Sequence, residues 1–340
     1  MTKALPKIAV LGATGVVGRE ILNILKENDV KYDSIKLLAS KKSAGSEIEF
    51  NGEKYTVIEA ADDVFDDIDI CLASAGGETS KRFAPVAAKK GCVFIDNSSA
   101  FRMEEDVPLV IAGVNDEDLR KHKGIIANPN CSTSQLMLPL KALDDKYKVK
   151  RLIVSTYQAV SGAGLKAINE LTDNTKTNLV GMPYTPSAFK YEIAFNVIPQ
   201  IDSFCENGYT KEEMKVTNET RKILHLSNDV KISCTAVRVP VYIGHSEAVS
   251  VEFEKEVDAK EARELLKTTK GVEVIDDIAT YAYPTPKDAA GKNPVYVGRI
   301  RNSIAFDKGL DFFCVADNLR IGAALNTVRI AQKVIEMELY

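Results

Sequence analysis

No long apolar run occurs anywhere in this chain of 340 residues; stretches such as Phe312-Phe313-Cys314-Val315-Ala316 are far too short to span a bilayer. Its cysteines, at 71, 92, 131, 205, 234 and 314, include no CxxC pair. That argues against a disulfide framework or a metal site, and for reduced thiols in a cytoplasm. Charge of one sign is not in excess: a net charge of -4 gives no reason to expect nucleic acid or an anionic membrane as a partner. Lys3 and Lys7 before Ile8-Ala9-Val10-Leu11 mimic a signal peptide, but glycines interrupt that run and no convincing cleavage site follows. Internal repeats, low-complexity tracts and disordered linkers are absent from the pattern. What remains is 45% apolar and 27% charged residues, ordinary for a soluble enzyme, in a length that suggests two domains.

Ile8-Ala9-Val10-Leu11 reads as a buried strand, followed by Gly12-Ala13-Thr14-Gly15-Val16-Val17-Gly18 and an apolar-periodic helix containing Ile21, Leu22, Ile24 and Leu25. Strand, glycine loop and helix in this order suit a pyrophosphate at the helix N-terminus. The GxxGxxG spacing departs from the commonest fingerprint, and a plain glycine turn is the alternative. A second strand, Ile35-Lys36-Leu37-Leu38-Ala39, ends at Ser40-Lys41-Lys42-Ser43-Ala44-Gly45 with no acid to bond a ribose 2′-hydroxyl. Two lysines between serines suit a 2′-phosphate, which points to NADP. Asp69-Ile70-Cys71-Leu72-Ala73 and Val93-Phe94-Ile95 continue the alternation, each ending in small polar residues. Cys71 and Cys92 read as packing residues.

Asn128-Pro129-Asn130-Cys131-Ser132-Thr133 places one cysteine where an extended segment turns into a helix carrying Leu136, Leu140 and Leu143. Unpaired backbone N–H groups and the positive dipole end there favour a thiolate and an oxyanion. Most cysteines are small buried hydrophobes, and the residue alone does not decide between the two roles.

Further on, Arg151 to Gln158 reads as a strand leading into Ser161-Gly162-Ala163-Gly164. Cys234 to Glu254 alternates with period two: Val237, Val239 and Val241 share one face and Arg238 takes the other. Val249, Val251 and Phe253 continue the pattern, giving a second sheet with a broad dimer surface. Of the three histidines, His245 sits at the glycine break Tyr242-Ile243-Gly244-His245-Ser246-Glu247, a better place for proton transfer than the charged helix around His122. A surface turn histidine is the alternative. Ile321 to Leu339 reads as a helix returning to the N-terminal domain. The expected fold is α/β: a Rossmann-type dinucleotide-binding domain (1–130 and 322–340) plus an α+β catalytic and dimerisation domain with a mixed sheet (131–321).

Taken together, these segments, with Ser155-Thr156-Tyr157-Gln158-Ala159-Val160-Ser161-Gly162-Ala163-Gly164, Glu219-Thr220-Arg221-Lys222, Arg238-Val239-Pro240-Val241 and Val297-Gly298-Arg299-Ile300-Arg301, resemble the aspartate-β-semialdehyde dehydrogenases along nearly the whole chain. The resemblance implies NADP-dependent interconversion of L-aspartate 4-semialdehyde and L-4-aspartyl phosphate, on the route to lysine, diaminopimelate, threonine, isoleucine and methionine. It implies Cys131 as nucleophile, His245 as general acid/base and Gln158 orienting the substrate. Arg238 would hold the α-carboxylate, Glu219 the amino group, and Arg102 with Lys222 the phosphate. The cofactor would meet Gly12, Thr14, Gly15, Val16, Val17, Ser40, Lys42, Ser43, Ser161, Gly162 and Asn318. The implied assembly is a homodimer or tetramer, with no metal. Many relatives carry arginine where Lys42 stands, and lysine lacks arginine's fork. The rival readings are an N-acetyl-glutamyl-phosphate reductase, which would not need Glu219 for a free amino group, and a noncatalytic NADP-sensing regulator.

Overall fold

Short apolar runs bounded by glycine become buried parallel strands in the first of two units. A computed structural model describes residues 4–340. The first unit extends to Asn130 and takes up Ala323–Tyr340. Its elements are β1 (Lys7–Leu11), α1 (Val16–Glu27), β2 (Ser34–Ala39), β3 (Glu47–Phe50), β4 (Glu53–Thr56), β5 (Ile58–Glu59), β6 (Ile70–Ala73), α2 (Gly77–Lys89), β7 (Val93–Asp96) and β8 (Ile125–Ala127). The main sheet runs β5-β2-β1-β6-β7-β8, and every pairing in it is parallel. The central strands β6 and β7 are buried from end to end because helices cover a parallel sheet on both faces. On β6, Cys71 is fully buried, as is Cys92 just before β7; both pack in the core with Phe65, Phe83 and Phe94. Asn51-Gly52, both at positive φ, close the β3–β4 hairpin in the handed turn that a two-residue connection requires. The helix Leu325–Glu336 packs on α1, β6 and β7 of this unit.

The second unit, Cys131–Gly322, contains α3 (Cys131–Tyr147), β9 (Val149–Gln158), α4 (Leu165–Leu179), α5 (Lys211–Ile223), β10 (Lys231–Arg238), β11 (His245–Phe253), α6 (Ala259–Thr268), β12 (Val272–Val274), α7 (Pro286–Ala289), β13 (Val295–Asn302) and β14 (Gly309–Ala316). Its sheet runs β10-β9-β11-β14-β13-β12 and is mixed: β10–β9 and β12–β13 are parallel, the remaining pairs antiparallel. Helix α3 buries Leu136, Met137, Leu140 and Leu143 and contacts β9, β11, β13 and β14. Each leucine removed from water there contributes about 1.5–3 kcal/mol.

Two expected elements differ in extent. The alternation from Cys234 to Glu254 is not continuous, because Pro240 lacks the N–H a ladder needs, and the chain turns between Arg238 and His245. Within β10 the alternation itself holds, with Arg238 on the face opposite Val237. Cys234, Ala236 and Arg238 point inward, and Val237 is half-buried. The C-terminal segment is helical from Ile321 as expected, first as a π-helical stretch at Arg320–Ala324, but its α-helix Leu325–Glu336 ends short of Leu339. Among the described residues no helix is long and apolar enough to cross a membrane.

Candidate active site

In the first unit, the loop after β1 is held tightly. Gly12, at φ 87°, donates from its N–H to Leu38 O at 2.8 Å. A Cβ on it would lie 2.5 Å from Ser74 O, and one on Gly18 would lie 2.1 Å from Gly12 O. Only glycine fits at either position, which brings α1 close under the loop with Gly15 as its N-cap. Beyond β2, Ser40, Lys41 and Lys42 are exposed in a tight turn closed by Ser43 N–H to Ser40 O at 2.9 Å. Arg102 is buried; its Nε donates to Asn128 O and one terminal nitrogen to Asn97 O, each at 2.9 Å. The Asn128 amide in turn donates to Asn97 Oδ1.

The second unit carries the remaining candidates, and brings several of them together. Cys131 is the first residue of α3 and is half-buried. Gln158 and Arg238 end β9 and β10 as direct partners across a parallel pair, and His245 begins β11, antiparallel to β9. Arg238 donates to Ala159 O at 2.7 Å. Burial lowers its pKa, whereas the negative charges of Cys131 and Glu212 favour its cation. Cys131 and His245 therefore both lie within electrostatic reach of one guanidinium.

His245 is entirely buried, and the Ala159 backbone N–H donates to its Nδ1 at 3.0 Å. A backbone N–H only donates, so Nδ1 accepts and the neutral ring carries its proton on Nε2. Burial first, and then Arg238, push the imidazole pKa well below its ordinary value, so the ring rests neutral. The Gln158 amide nitrogen donates to Glu212 Oε1 at 3.1 Å, and its oxygen accepts from the Thr156 hydroxyl at 3.1 Å. Glu212 thus fixes which way the amide points. The amide nitrogen lies 3.4 Å from His245 Nε2. Both nitrogens are donors, so the two N–H groups are set beside each other to share an external acceptor.

Glu219 is buried on α5, and Lys222 is half-buried on the same helix. A capping box starts that helix: Thr210 N–H donates to Glu213 Oε2 and Glu213 N–H to the Thr210 hydroxyl. Glu213 also accepts from Ala236 N–H at 2.9 Å, which ties α5 to β10. Ser161 and Asn318 are joined through side chains at 3.0 Å, and Asn318 accepts from Gly244 N–H next to His245. The Gly162 Cα direction faces Arg238 and His245, where an added Cβ would meet both at 3.1–3.2 Å.

Sequence reasoning missed Glu212 and Gly322. Glu212 stands seven residues before Glu219, on the same face of α5, a spacing that offers a signal only once the helix is oriented. A Cβ on Gly322 would lie 2.5 Å from Cys131 Cβ and 2.8 Å from its Cα. Nothing in the sequence pairs those two positions.

Residues 7–122 match the semialdehyde dehydrogenase NAD binding domain, and residues 140–321 the semialdehyde dehydrogenase dimerisation domain. Fold and site thus define a nicotinamide-dependent semialdehyde dehydrogenase. Aspartate-semialdehyde dehydrogenase of Aquifex aeolicus is 52% identical over 335 residues, 97% of this chain and 98% of its own. That of Campylobacter jejuni is 50% identical over 338 residues, 98% of each. A crystal structure of aspartate semialdehyde dehydrogenase II from Vibrio cholerae, complexed with ASA, is similar with a TM-score of 0.95 and 43% identity, covering 98% of this chain and 99% of that one. The chain belongs to the aspartate-semialdehyde dehydrogenase family. Neither rival reading, the N-acetyl-glutamyl-phosphate reductase or the noncatalytic regulator, is favoured by these relatives.

Proposed function

We propose that this protein catalyses the reversible, NADP-dependent reductive dephosphorylation of L-4-aspartyl phosphate to L-aspartate 4-semialdehyde, with Cys131 as the nucleophile. The observation that carries the reading is the pair of N–H donors on Gln158 and His245, 3.4 Å apart, in the unit where Cys131 and His245 both sit within reach of Arg238. A carbonyl attacked by a thiolate develops negative charge on oxygen, and two preorganised donors suit that oxyanion.

The Cys131 thiolate attacks the acyl phosphate carbonyl, the carbonyl electrons move to oxygen, and their return expels phosphate to leave an acyl-thioester. Covalent catalysis of this kind divides one hard displacement into two easier steps. In the reverse direction the thiolate adds to the aldehyde, and His245 holds the Nε2 proton against the resulting oxygen. Arg238 is assigned to the substrate α-carboxylate, Glu219 to its amino group, and Arg102 with Lys222 to phosphate.

The cradle of Gly12, Thr14, Gly15, Val16 and Val17, where added Cβ atoms at Gly12 and Gly18 have no room, fits a dinucleotide pyrophosphate. Ser40, Lys42 and Ser43 fit a 2′-phosphate by charge, and the resemblance adds Ser161, Gly162 and Asn318 to the cofactor contacts. When bound, NADP(H) supplies the hydride chemistry. Within the matched dimerisation domain, β9 leaves Ile153 and Tyr157 exposed on the outer sheet face, with the Tyr157 ring 6.3 Å from Phe313; this face is proposed to meet a second copy in a homodimer.

The test follows NADPH formation from aspartate semialdehyde, with and without phosphate. Turnover should require phosphate, and Cys131→Ala should abolish it while cofactor binding persists. Substantial activity in the purified alanine variant would overturn the assignment of the nucleophile.

A further inference from the structure

One carboxyl in the second unit is fully buried without belonging to the site described above. Glu247 lies two residues beyond His245 on β11, so both side chains project from the same face of the strand, with Val249, Val251 and Phe253 behind them. Its cross-strand partners are Thr156 on β9 and Cys314 on β14. Thr156 in turn donates to the Gln158 amide. Cys314 Sγ donates to Glu247 Oε2 at 3.3 Å. From α3, which packs on β11, Gln135 faces the same carboxyl, near enough to favour its ionised form. Neither Gln135 nor Glu247 Oε1 closes a bond of good geometry there. Gln135 stands one helical turn after Cys131, on the same side of α3. A polar row of Thr156, Glu247 and Cys314 therefore underlies the row that carries Gln158 and His245.

We propose that Glu247 is a positioning residue: its carboxyl, set where β11 crosses the first turns of α3, holds His245 in place relative to Cys131. The inference rests on the assignment of Cys131 and His245 to the chemistry. A buried carboxyl with no cation beside it does this work only while neutral. Burial pushes the Glu247 pKa up to about 8. The titratable groups around it supply no compensating positive charge. Cys314 on β14 and Cys234 on β10 are thiols pushed upward by burial and by the Glu247 charge, Glu212 and Glu213 on α5 are carboxyls near Cys234, and His245 is neutral. Loss of the proton above the carboxyl's own pKa therefore puts an unpaired charge under His245.

Two variants and a pH profile test this. Glu247→Gln keeps the size and hydrogen-bonding capacity of the neutral acid; Glu247→Leu keeps only the size. With Glu247→Leu verified as folded by circular dichroism and cofactor binding, kcat at pH 7 is expected to fall at least tenfold, with KM for the semialdehyde within about twofold. Glu247→Gln should keep kcat within about threefold and lack the fall in kcat expected of the wild type near pH 8. The proposal is overturned by a folded Glu247→Leu enzyme with wild-type kcat, or by a Glu247→Gln profile that keeps the wild-type alkaline limb. Should Glu247→Leu fail to fold, the Glu247→Gln profile alone decides. Cys131→Ser, assayed in parallel, separates the two readings: its inactivity with an unaffected Glu247→Leu enzyme removes only the positioning role, whereas its activity removes the nucleophile on which that role rests.

Discussion

The side-chain nitrogens of Gln158 and His245 lie 3.4 Å apart, and each presents a proton. Glu212 enforces this from below by accepting from the same Gln158 nitrogen. Gln158→Glu replaces that donor with a carboxylate facing Glu212, so one oxyanion partner becomes a repulsive charge. Loss of one such donor typically costs on the order of 10²–10³ in kcat. We expect a fall of at least that size at pH 7, partly recovered as pH is lowered and the new carboxyl protonates. Steady-state kcat across pH 5.5–8 reads this out, and a flat, wild-type-like profile would show that the Gln158 nitrogen does no work.

A neutral, buried His245 also leaves a stability signature. Its folded pKa is depressed below the unfolded value near 6.5, so the unfolded chain binds a proton that the native state refuses. The stability it contributes is fully present above about pH 6.5 and is lost as pH falls below that, at up to about 1.4 kcal/mol per pH unit. His245→Gln, neutral at every pH, should lose less Tm than the wild type between pH 7 and pH 5. Parallel Tm curves for the two proteins would mean that the native ring takes up its proton over the same pH range as the unfolded one.

Gly322 lies close against Cys131 from the wide turn at Arg320–Ala324, where an added Cβ would lie 2.5 Å from Cys131 Cβ. Contacts under 3 Å to backbone leave no adjustment except movement of the first turn of α3. Gly322→Ala should therefore lower kcat tenfold or more and change the rate of Cys131 alkylation by iodoacetamide, while NADP affinity stays within twofold. Unchanged alkylation and turnover would show that α3 tolerates the shift.

These relationships also mark how far the sequence could be read. The glycine loop, the cysteine at the strand-to-helix junction and the histidine at a glycine break were legible because each is written in consecutive residues with a local physical meaning. Arg238 lies on the face opposite Val237, as the alternation implies; that this face, shared with Cys234 and Ala236, is the inner one follows from the packing of α5 and the neighbouring strand. Glu212 orients the site through its bond to Gln158, more than fifty residues away in the chain, and Gly322 bears on it through its approach to Cys131. Both depend on tertiary contacts for which a single sequence has no code.

For the cofactor, Lys42 is exposed in the turn after β2, where no acid awaits a ribose hydroxyl. Lys42→Ala should weaken NADP and spare NAD. Charge-assisted bonds contribute about 1.5–3 kcal/mol, or roughly ten- to a hundred-fold in affinity, with the lower end expected for a solvated lysine. Titration of both cofactors by fluorescence or calorimetry measures the difference. Equal losses would move the 2′-phosphate contact to Lys41 or the serines.

The roles proposed for Arg238 and Lys222 separate recognition of the substrate carboxylate from recognition of phosphate. Arg238 is buried at the end of β10, with one terminal nitrogen committed to Ala159 O at 2.7 Å and its guanidinium 6.0 Å from the Phe189 ring centre. A planar fork held in this way presents its remaining N–H groups in one direction, as a bidentate carboxylate clamp requires. Lysine keeps the charge but loses the fork, so Arg238→Lys should raise KM for the semialdehyde and lower kcat, with phosphate saturation little changed. Lys222 is a half-buried point charge on α5, suited to a compact anion, and Lys222→Ala should mainly raise KM for phosphate. Kinetics in the phosphorylating direction, varying each substrate in turn, distinguish the two. Unchanged phosphate saturation in Lys222→Ala removes its assigned role, and wild-type behaviour in Arg238→Lys places the carboxylate clamp elsewhere.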